Sequence, residues 1–202
     1  MSGTSKGQRT EAAFLQAART TFAEVGYFNA KISDIAAAAG RSAGSFYNYY
    51  ENKEQLLEAL LEEFTDEVLK GSLLAQTGDP EQDIRGAVRT YWNSYRKYLP
   101  ELIGVFQMSM RDDAYTARWR RIRGAGIREV ITTLHNAERA GHNPGLPERQ
   151  LASAIVSMLE GFCWVWLAAG GDEDVETPDD DSAVDILSAI WYRTVYGNGA
   201  TH

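Results

Sequence analysis

Cysteine is nearly absent from this 202-residue chain; Cys163 is the only one, so no internal disulfide framework can form and a reducing compartment suits it. Cys163 lies inside an apolar run, which reads as a small buried hydrophobe rather than a reactive thiol. Histidine is scarce too, and His135 and His142 stand seven apart with no third ligand beside them, so no zinc site is indicated. Five prolines are too few for a loop-dominated chain. No Gly-rich phosphate loop, HExxH helix or GxSxG elbow occurs, and no His, Asp and Glu set has catalytic spacing. These absences argue against an enzyme and call for neither metal nor cofactor. The first ten residues, MSGTSKGQRT, are polar and read as a flexible tail with no apolar core, so no signal peptide is expected.

Long hydrophobic runs are also lacking, apart from Leu151–Ala169. Glu160 stands at its centre, where an acidic group costs about 2.5–3.5 kcal/mol to place in a bilayer. The other polar residues, Ser153 and Ser157, share one narrow stripe with Glu160, as in a helix buried within protein. The net charge of −8 is unevenly spread. Residues 1–53 carry Lys6, Arg9, Arg19, Lys31, Arg41 and Lys53 against four acidic groups, a local +2 on a body of −10. A mildly basic segment on an acidic body is compatible with local phosphate binding.

What is present is a 3.6-residue hydrophobic period nearly throughout, with no alternating strand run, so the fold class is all-α with about nine helices. The first helix is expected from about Gln8 to Val25, stopped by Gly26. A short second helix carries Ile32, Ile35, Ala36 and Ala39, and Gly40 ends it. A third covers about Ser42–Tyr49 with Ser42 as N-cap. The fourth starts near Lys53 behind Asn52 and carries a leucine stripe to Gly71; the stretch 71–80 reads as a domain boundary. Further helices are expected over 81–99, 101–110, 114–139 and 147–169, and the last runs from the acidic Asp179–Asp181 start to near Gly197.

Two helices as short as the second and third cannot bury themselves, and the first supplies Phe14 and Phe22 to cover them. Such a three-helix unit suits a helix-turn-helix whose third helix enters a major groove roughly 12 Å wide. Ser42, Ala43, Gly44 and Ser45 are small enough for the helix start to approach a phosphate. Tyr47, Asn48 and Tyr49 offer hydroxyl and amide groups, while Phe46 and Tyr50 are expected to face inward. Lys53, at the start of the fourth helix, and Arg41, in the turn, are phosphate candidates. Taken alone, the YNYY stretch reads equally as an aromatic packing cluster.

The order of these residues carries more than their types. The stretch 26–60, GYFNAKISDIAAAAGRSAGSFYNYYENKEQLLEAL, resembles the DNA-binding segment of the TetR (tetracycline-repressor-like) family. Gly26-Tyr27, Asp34-Ile35-Ala36, Ala39-Gly40, Ser42, Gly44, Tyr47 and Lys53 fall at that family's pattern positions. The resemblance implies that Ser33, Ser42–Ser45, Tyr47–Tyr49 and Lys53 fall where DNA contacts are common. Ala30 and Lys31 depart from the pattern by replacing threonines before the second helix. The threonine cap is thereby lost, and Lys31 offers a charge contact instead. The implied organisation is a DNA-binding domain over 1–53 and a ligand-binding and dimerisation domain over 54–202, with the fourth helix as connector.

In the body, Val88, Tyr91, Trp92, Tyr95, Tyr98 and Leu99 fall on one helical face. Aromatic core is the default reading of such a stripe. Apolar walls with a few polar tips also suit a small-molecule pocket, which Phe106, Met110, Trp119, Phe162 and Trp166 would complete. Arg118, Arg120, Arg121, Arg123 and Arg128 read as a basic face paired with acids elsewhere, or as a site for an anionic acyl-CoA-type ligand. The resemblance implies a cytoplasmic homodimer formed through the last two helices, which binds operator DNA as a transcriptional repressor and leaves it when a small molecule binds. Control by a protein partner is the alternative.

Overall fold

The computed structural model describes residues 3–74 and 77–197, with side chains over 6–71 and 77–197. In chain order the helices are α1 (Gly3–Asn29), α2 (Ile32–Ala38), α3 (Ala43–Phe46), α4 (Lys53–Leu74), α5 (Pro80–Lys97), α6 (Leu99–Ser109), α7 (Asp113–Arg139), α8 (Glu148–Cys163) and α9 (Asp180–Tyr196). A π-helical turn, Trp164–Ala168, continues α8. No strand occurs among the described residues. The chain divides into two compact units, one of Met1–Phe64 with Tyr98–Trp119, the other of Thr65–Lys97 with Arg120–His202.

In the first unit, α1 starts earlier than its hydrophobic pattern suggests. The polar tail joins the helix at Gly3, and the Thr10 hydroxyl donates to the Lys6 carbonyl at 3.1 Å. Gly26 does not terminate α1 but kinks it, at φ 76° and ψ 159°, a region open to glycine at little cost. Phe14, Ala18 and Phe22 are buried on one side of α1 against Ile35, Ala36 and Phe46 of α2 and α3. α6 also packs on α1, and Gly104 lies so close to Tyr27 that a Cβ there would stand 2.9 Å from the Tyr27 Cβ.

In the second unit, α5 packs along α9. Ile84, Val88 and Trp92 of α5 are buried, as are Val184, Leu187, Trp191 and Val195 of α9. The acidic start of α9 meets a basic face of α5: Arg89 pairs with Asp181 at 2.7 Å, Arg85 with Asp185, and Arg96 with both oxygens of Asp180. The Trp92 indole N–H also donates to Asp180, at 2.9 Å, and Asp179 caps α9 by accepting from the Ser182 N–H at 2.7 Å. That acidic run is accounted for by capping and ion pairing.

Two sequence expectations change here. α4 passes through Gly71 to Leu74, and Gly71 is a packing position: a Cβ there would stand 2.2 Å from a Thr90 methyl. The expected boundary 71–80 therefore begins inside a helix, and its residues 75 and 76 lie outside the described ones. Past them, the Asp83 carboxylate accepts from the Thr77 hydroxyl at 2.7 Å and the Gly78 N–H at 3.3 Å. Glu148–Leu167 has the length and composition of a membrane span, and a third of its most apolar 18 residues is buried in the protein.

Candidate nucleic-acid interface

α2 ends in a paired-bond turn that requires its glycine. The Arg41 N–H donates to the Ala36 carbonyl and the Gly40 N–H to the Ala37 carbonyl, both at 2.9 Å, with Gly40 at φ 65°. This is the Schellman arrangement, in which only a left-handed residue reverses the chain so sharply. α3 is shorter than its sequence suggests: regular helix covers Ala43–Phe46, and hydrogen-bonded turns continue to Tyr50. Ser42 is the N-cap, its hydroxyl oxygen accepting from the Ser45 N–H at 3.2 Å.

Rings hold this short element in place. Phe46 is fully buried, with Phe14 edge-on at 5.5 Å and Tyr50 at 5.6 Å, and Phe14 also meets Tyr49 at 5.7 Å. With Phe46 and Tyr50 turned inward, Arg41, Ser42, Ala43, Gly44, Tyr47 and Asn48 stand exposed, and Ser45 and Tyr49 are half-buried. Tyr47 is 58% exposed. Beside them runs an open groove of about 770 Å³ lined by Lys6, Gly7, Thr10, Arg41, Ser45, Asn48 and Tyr49. Lys6, Gly7 and Thr10 were not expected in this place. The signal available for them was the basic Lys6 ahead of the first apolar residue of α1.

Lys31 and Ser33 are exposed at the start of α2. Lys31 occupies the N-cap without a side-chain cap bond, as the missing threonine implies. The Ser33 hydroxyl donates to Asp34 at 3.1 Å.

Lys53 is placed differently from a phosphate ligand. Its ammonium donates to the carbonyls of Tyr27 at 2.7 Å, Ala30 at 2.9 Å and Phe28 at 3.3 Å, and lies 4.5 Å from the Tyr27 ring centre. A primary ammonium has three N–H bonds, and three carbonyls at the end of α1 take them. Here Lys53 is a C-terminal cap for α1, a place where a cation is favoured by the helix dipole. Burial holds its pKa below the ordinary lysine value. Asn52 caps α4, accepting from the Gln55 N–H at 2.8 Å, while the Gln55 side chain accepts from the Glu51 N–H at 2.7 Å.

Behind the three helices lies a charged cluster that the sequence pattern did not single out. Arg19 of α1 pairs with Glu63 of α4 and donates to the Tyr98 hydroxyl at 3.2 Å. Glu101, in the first turn of α6, is fully buried, and neither carboxylate oxygen has a hydrogen-bond partner among the described residues. Burial pushes the Glu101 carboxyl up to about 7, against the pull of Arg19 and with a push from Glu63.

The residues expected to line a pocket fall in both units. In the first, Phe106 and Trp119 face each other at 6.4 Å, and Met110 is 70% exposed at the end of α6. In the second, Trp92 lies against Phe162 at 6.0 Å and Phe162 against Trp166 at 6.1 Å, with Tyr91 and Tyr95 paired at 5.9 Å. Trp92 is 1% exposed and its N–H is taken by Asp180, so it is a core residue with no surface for a ligand. Tyr91, Phe162 and Trp166 keep part of their surface. Arg118 pairs with Glu58 at 3.2 Å and Arg123 with Glu160, so part of the expected basic face is internally neutralised.

A model of the bacterial regulatory proteins of the tetR family matches residues 14–60, which span α1 to α4. HTH-type regulator YdgC of Bacillus subtilis is 32% identical over 169 residues, covering 82% of this chain and 85% of that one. HTH-type transcriptional regulator EthR of Mycolicibacterium smegmatis is 23% identical over 195 residues, 95% of this chain and 88% of that protein. Among solved structures, the TetR family regulator PfmR of Thermus thermophilus superposes with a TM-score of 0.68 at 17% identity, over 93% of this chain and 99% of that one. Helix order, the Gly40 turn and the family match agree, and the chain belongs to the tetR family of bacterial transcriptional regulators, which are DNA-binding proteins and not enzymes.

Proposed function

We propose that the chain is a cytoplasmic homodimeric repressor that holds operator DNA through α3 and releases it when a small molecule binds the body. The observation that carries the DNA face is the open groove. Lys6 and Arg41 bring positive charge to its walls, and the small exposed Ser42–Gly44 start of α3 leaves backbone N–H groups accessible to a phosphate. Tyr47, Asn48 and Tyr49 offer hydroxyl and amide groups for base edges or phosphates, with Lys31 and Ser33 flanking them. Lys53 acts in this scheme by fixing α1 rather than by touching DNA. The DNA-binding domain is taken as 1–53 and the ligand-binding and dimerisation domain as 54–202.

Exposed apolar side chains on α9 and on the π-helical turn after α8 support pairing with a second copy: Trp164, Ile186 and Ile190 are 37%, 45% and 47% exposed. A dimer would place two α3 helices roughly 34–36 Å apart, one turn of DNA, to read a near-palindrome. Tyr91, Tyr95, Phe162 and Trp166 are the proposed effector-binding residues. α4, whose residues belong to both units, would carry the effect of ligand to α1–α3, lowering DNA affinity by a coupling energy of about 1–3 kcal/mol.

The test is fluorescence anisotropy of the full chain on DNA flanking its own gene against a scrambled duplex, over a salt series. Sequence-dependent binding that falls steeply with salt supports the reading. Equal binding to both duplexes, together with failure to enrich any sequence from random DNA, would defeat it.

A further inference from the structure

Resting on the operator-binding reading above, we infer that Glu101 and Arg19 form a proton-controlled catch between α6 and α1, so that the chain loosens its hold on operator DNA as pH rises above neutral. Glu101 stands in the first turn of α6, and α6 packs on α1. It is fully buried, and among the described residues no other residue gives either carboxylate oxygen a hydrogen bond. On the α1 side, the Arg19 Nε is likewise buried without a partner among the described residues. The rest of that guanidinium is engaged elsewhere. It pairs with Glu63 of α4, donates to the Tyr98 hydroxyl at 3.2 Å, and lies 4.9 Å from the Tyr98 ring centre. Arg19 from α1 and Glu63 from α4 are thus the charges acting on Glu101, with Tyr98, the residue before α6, presenting its hydroxyl to Arg19. Burial is the largest influence and holds the carboxyl at about 7; its own backbone N–H and Arg19 favour the carboxylate, and Glu63 opposes it.

The proton decides how α6 sits on α1. With it, Glu101 is neutral and the packing encloses no bare charge. Without it, a carboxylate lies in the interior with no side chain donating to it, a state that burial penalises heavily. Two movements relieve it. Either the start of α6 shifts to admit water, or Arg19 turns toward Glu101 and gives up Glu63 and Tyr98. Both disturb α1, whose Phe14 and Phe22 are buried over α2 and α3, and so both unsettle the surface that meets DNA. A carboxyl held near 7 binds its proton more tightly than a solvated one at 4.5. The closed packing is therefore favoured at low pH and weakened as pH rises through 7. DNA that binds only the closed packing takes up the proton along with it.

The test titrates the full-length protein with the duplex that the anisotropy measurement selects, at constant ionic strength from pH 6 to 8.5. Wild-type affinity is expected to fall at least about tenfold between pH 6 and 8, as it does when only a form protonated near 7 binds. Glu101→Gln, which fixes the neutral form at nearly constant shape, should keep the pH 6 affinity at pH 8. Arg19→Gln withdraws the charge that favours the carboxylate and should move the midpoint to higher pH, which a loss of packing alone would not do. Calorimetry at pH 7.5 in two buffers of different ionisation enthalpy reads the same link without a variant, and the wild type should take up protons as it binds DNA. No uptake overturns the inference, even if both variants fold poorly. So does a Glu101→Gln profile parallel to that of the wild type. Wild-type affinity that is level across the pH range overturns it while leaving operator binding in place. If no duplex is bound at any pH, the operator reading fails, and this inference with it.

Discussion

Each unit of the molecule holds a group of aromatic rings, and the two groups do different work. In the first, Phe14, Phe46, Tyr49 and Tyr50 close around a helix of four residues, and the innermost ring is fully buried. Those rings spend their surface on position: they orient a short polar edge that could not hold itself. In the second, Tyr91, Phe162 and Trp166 keep part of theirs, with Tyr91 set against Tyr95 and Phe162 against Trp92 and Trp166. A filled cluster holds a short helix in place, whereas the other leaves part of its ring surface uncovered.

The sharpest way to break that comparison is to unfill the saturated cluster. Phe46→Ala removes a fully buried ring, a change that costs about 3–5 kcal/mol in well-packed cores. Denaturant unfolding should register that loss, and operator binding should vanish. A variant that kept wild-type stability would mean that Phe46 is not what anchors α3.

Next in size is Glu101. Its folded pKa, about 7, lies above the ordinary carboxyl value of 4.5, so its contribution favours folding fully below about 4.5 and is lost as pH rises through 7. The difference amounts to roughly 3 kcal/mol at pH 8. Thermal melts of the wild type should therefore lose stability between pH 5 and 8. Glu101→Gln should flatten that slope and melt higher at pH 8. Parallel profiles would show that the carboxyl finds water or a partner.

Lys53 sharpens the contrast between holding and reading. Lys53→Met should cost about 1–3 kcal/mol of stability by leaving carbonyls of Tyr27, Phe28 and Ala30 without their donor. It should leave the slope of log affinity against log salt unchanged. A slope reduced by about 0.9 would instead identify a phosphate contact. The smallest expected effect is Tyr47→Phe, at about 1 kcal/mol in operator affinity with the melting temperature unmoved, because the ring is 58% exposed. A drop in stability there would return the tyrosine to a packing role.

Much of this architecture was legible in the chain because it is written in local signals. Gly40 and Ser42 name a turn and a cap through their own conformational and hydrogen-bonding chemistry, and Asn52 and Asp179 do the same for α4 and α9. What stayed hidden depends on neighbours distant in sequence. Gly71 reads as a helix stop, but its reason is Thr90 on another helix. Lys53 reads as a phosphate ligand because it opens a helix, and its partners lie more than twenty residues back. Lys6 and Thr10 looked like a tail until the helix reached Gly3 and brought them beside Arg41. Trp92 was indistinguishable by period from its stripe-mates, and Asp180, 88 residues away, took its one polar atom.

The π-helical turn Trp164–Ala168 makes the end of α8 sensitive to length rather than to side-chain identity. A π turn closes its hydrogen bonds one residue later than an α turn, and here the Ala169 N–H reaches back to the Trp164 carbonyl at 2.9 Å. Just beyond, Gly171 at φ 91° lies against the Trp166 ring, so that a Cβ there would stand 2.8 Å from it. Deleting one residue inside WVWLA would let the α-helix run on and change how the residues that follow meet their neighbours. The close approach of Gly171 to the Trp166 ring would not survive such a deletion. In this part of the chain, spacing is the quantity to expect kept among variants that still fold, and single-residue insertions or deletions should be rarer there than substitutions.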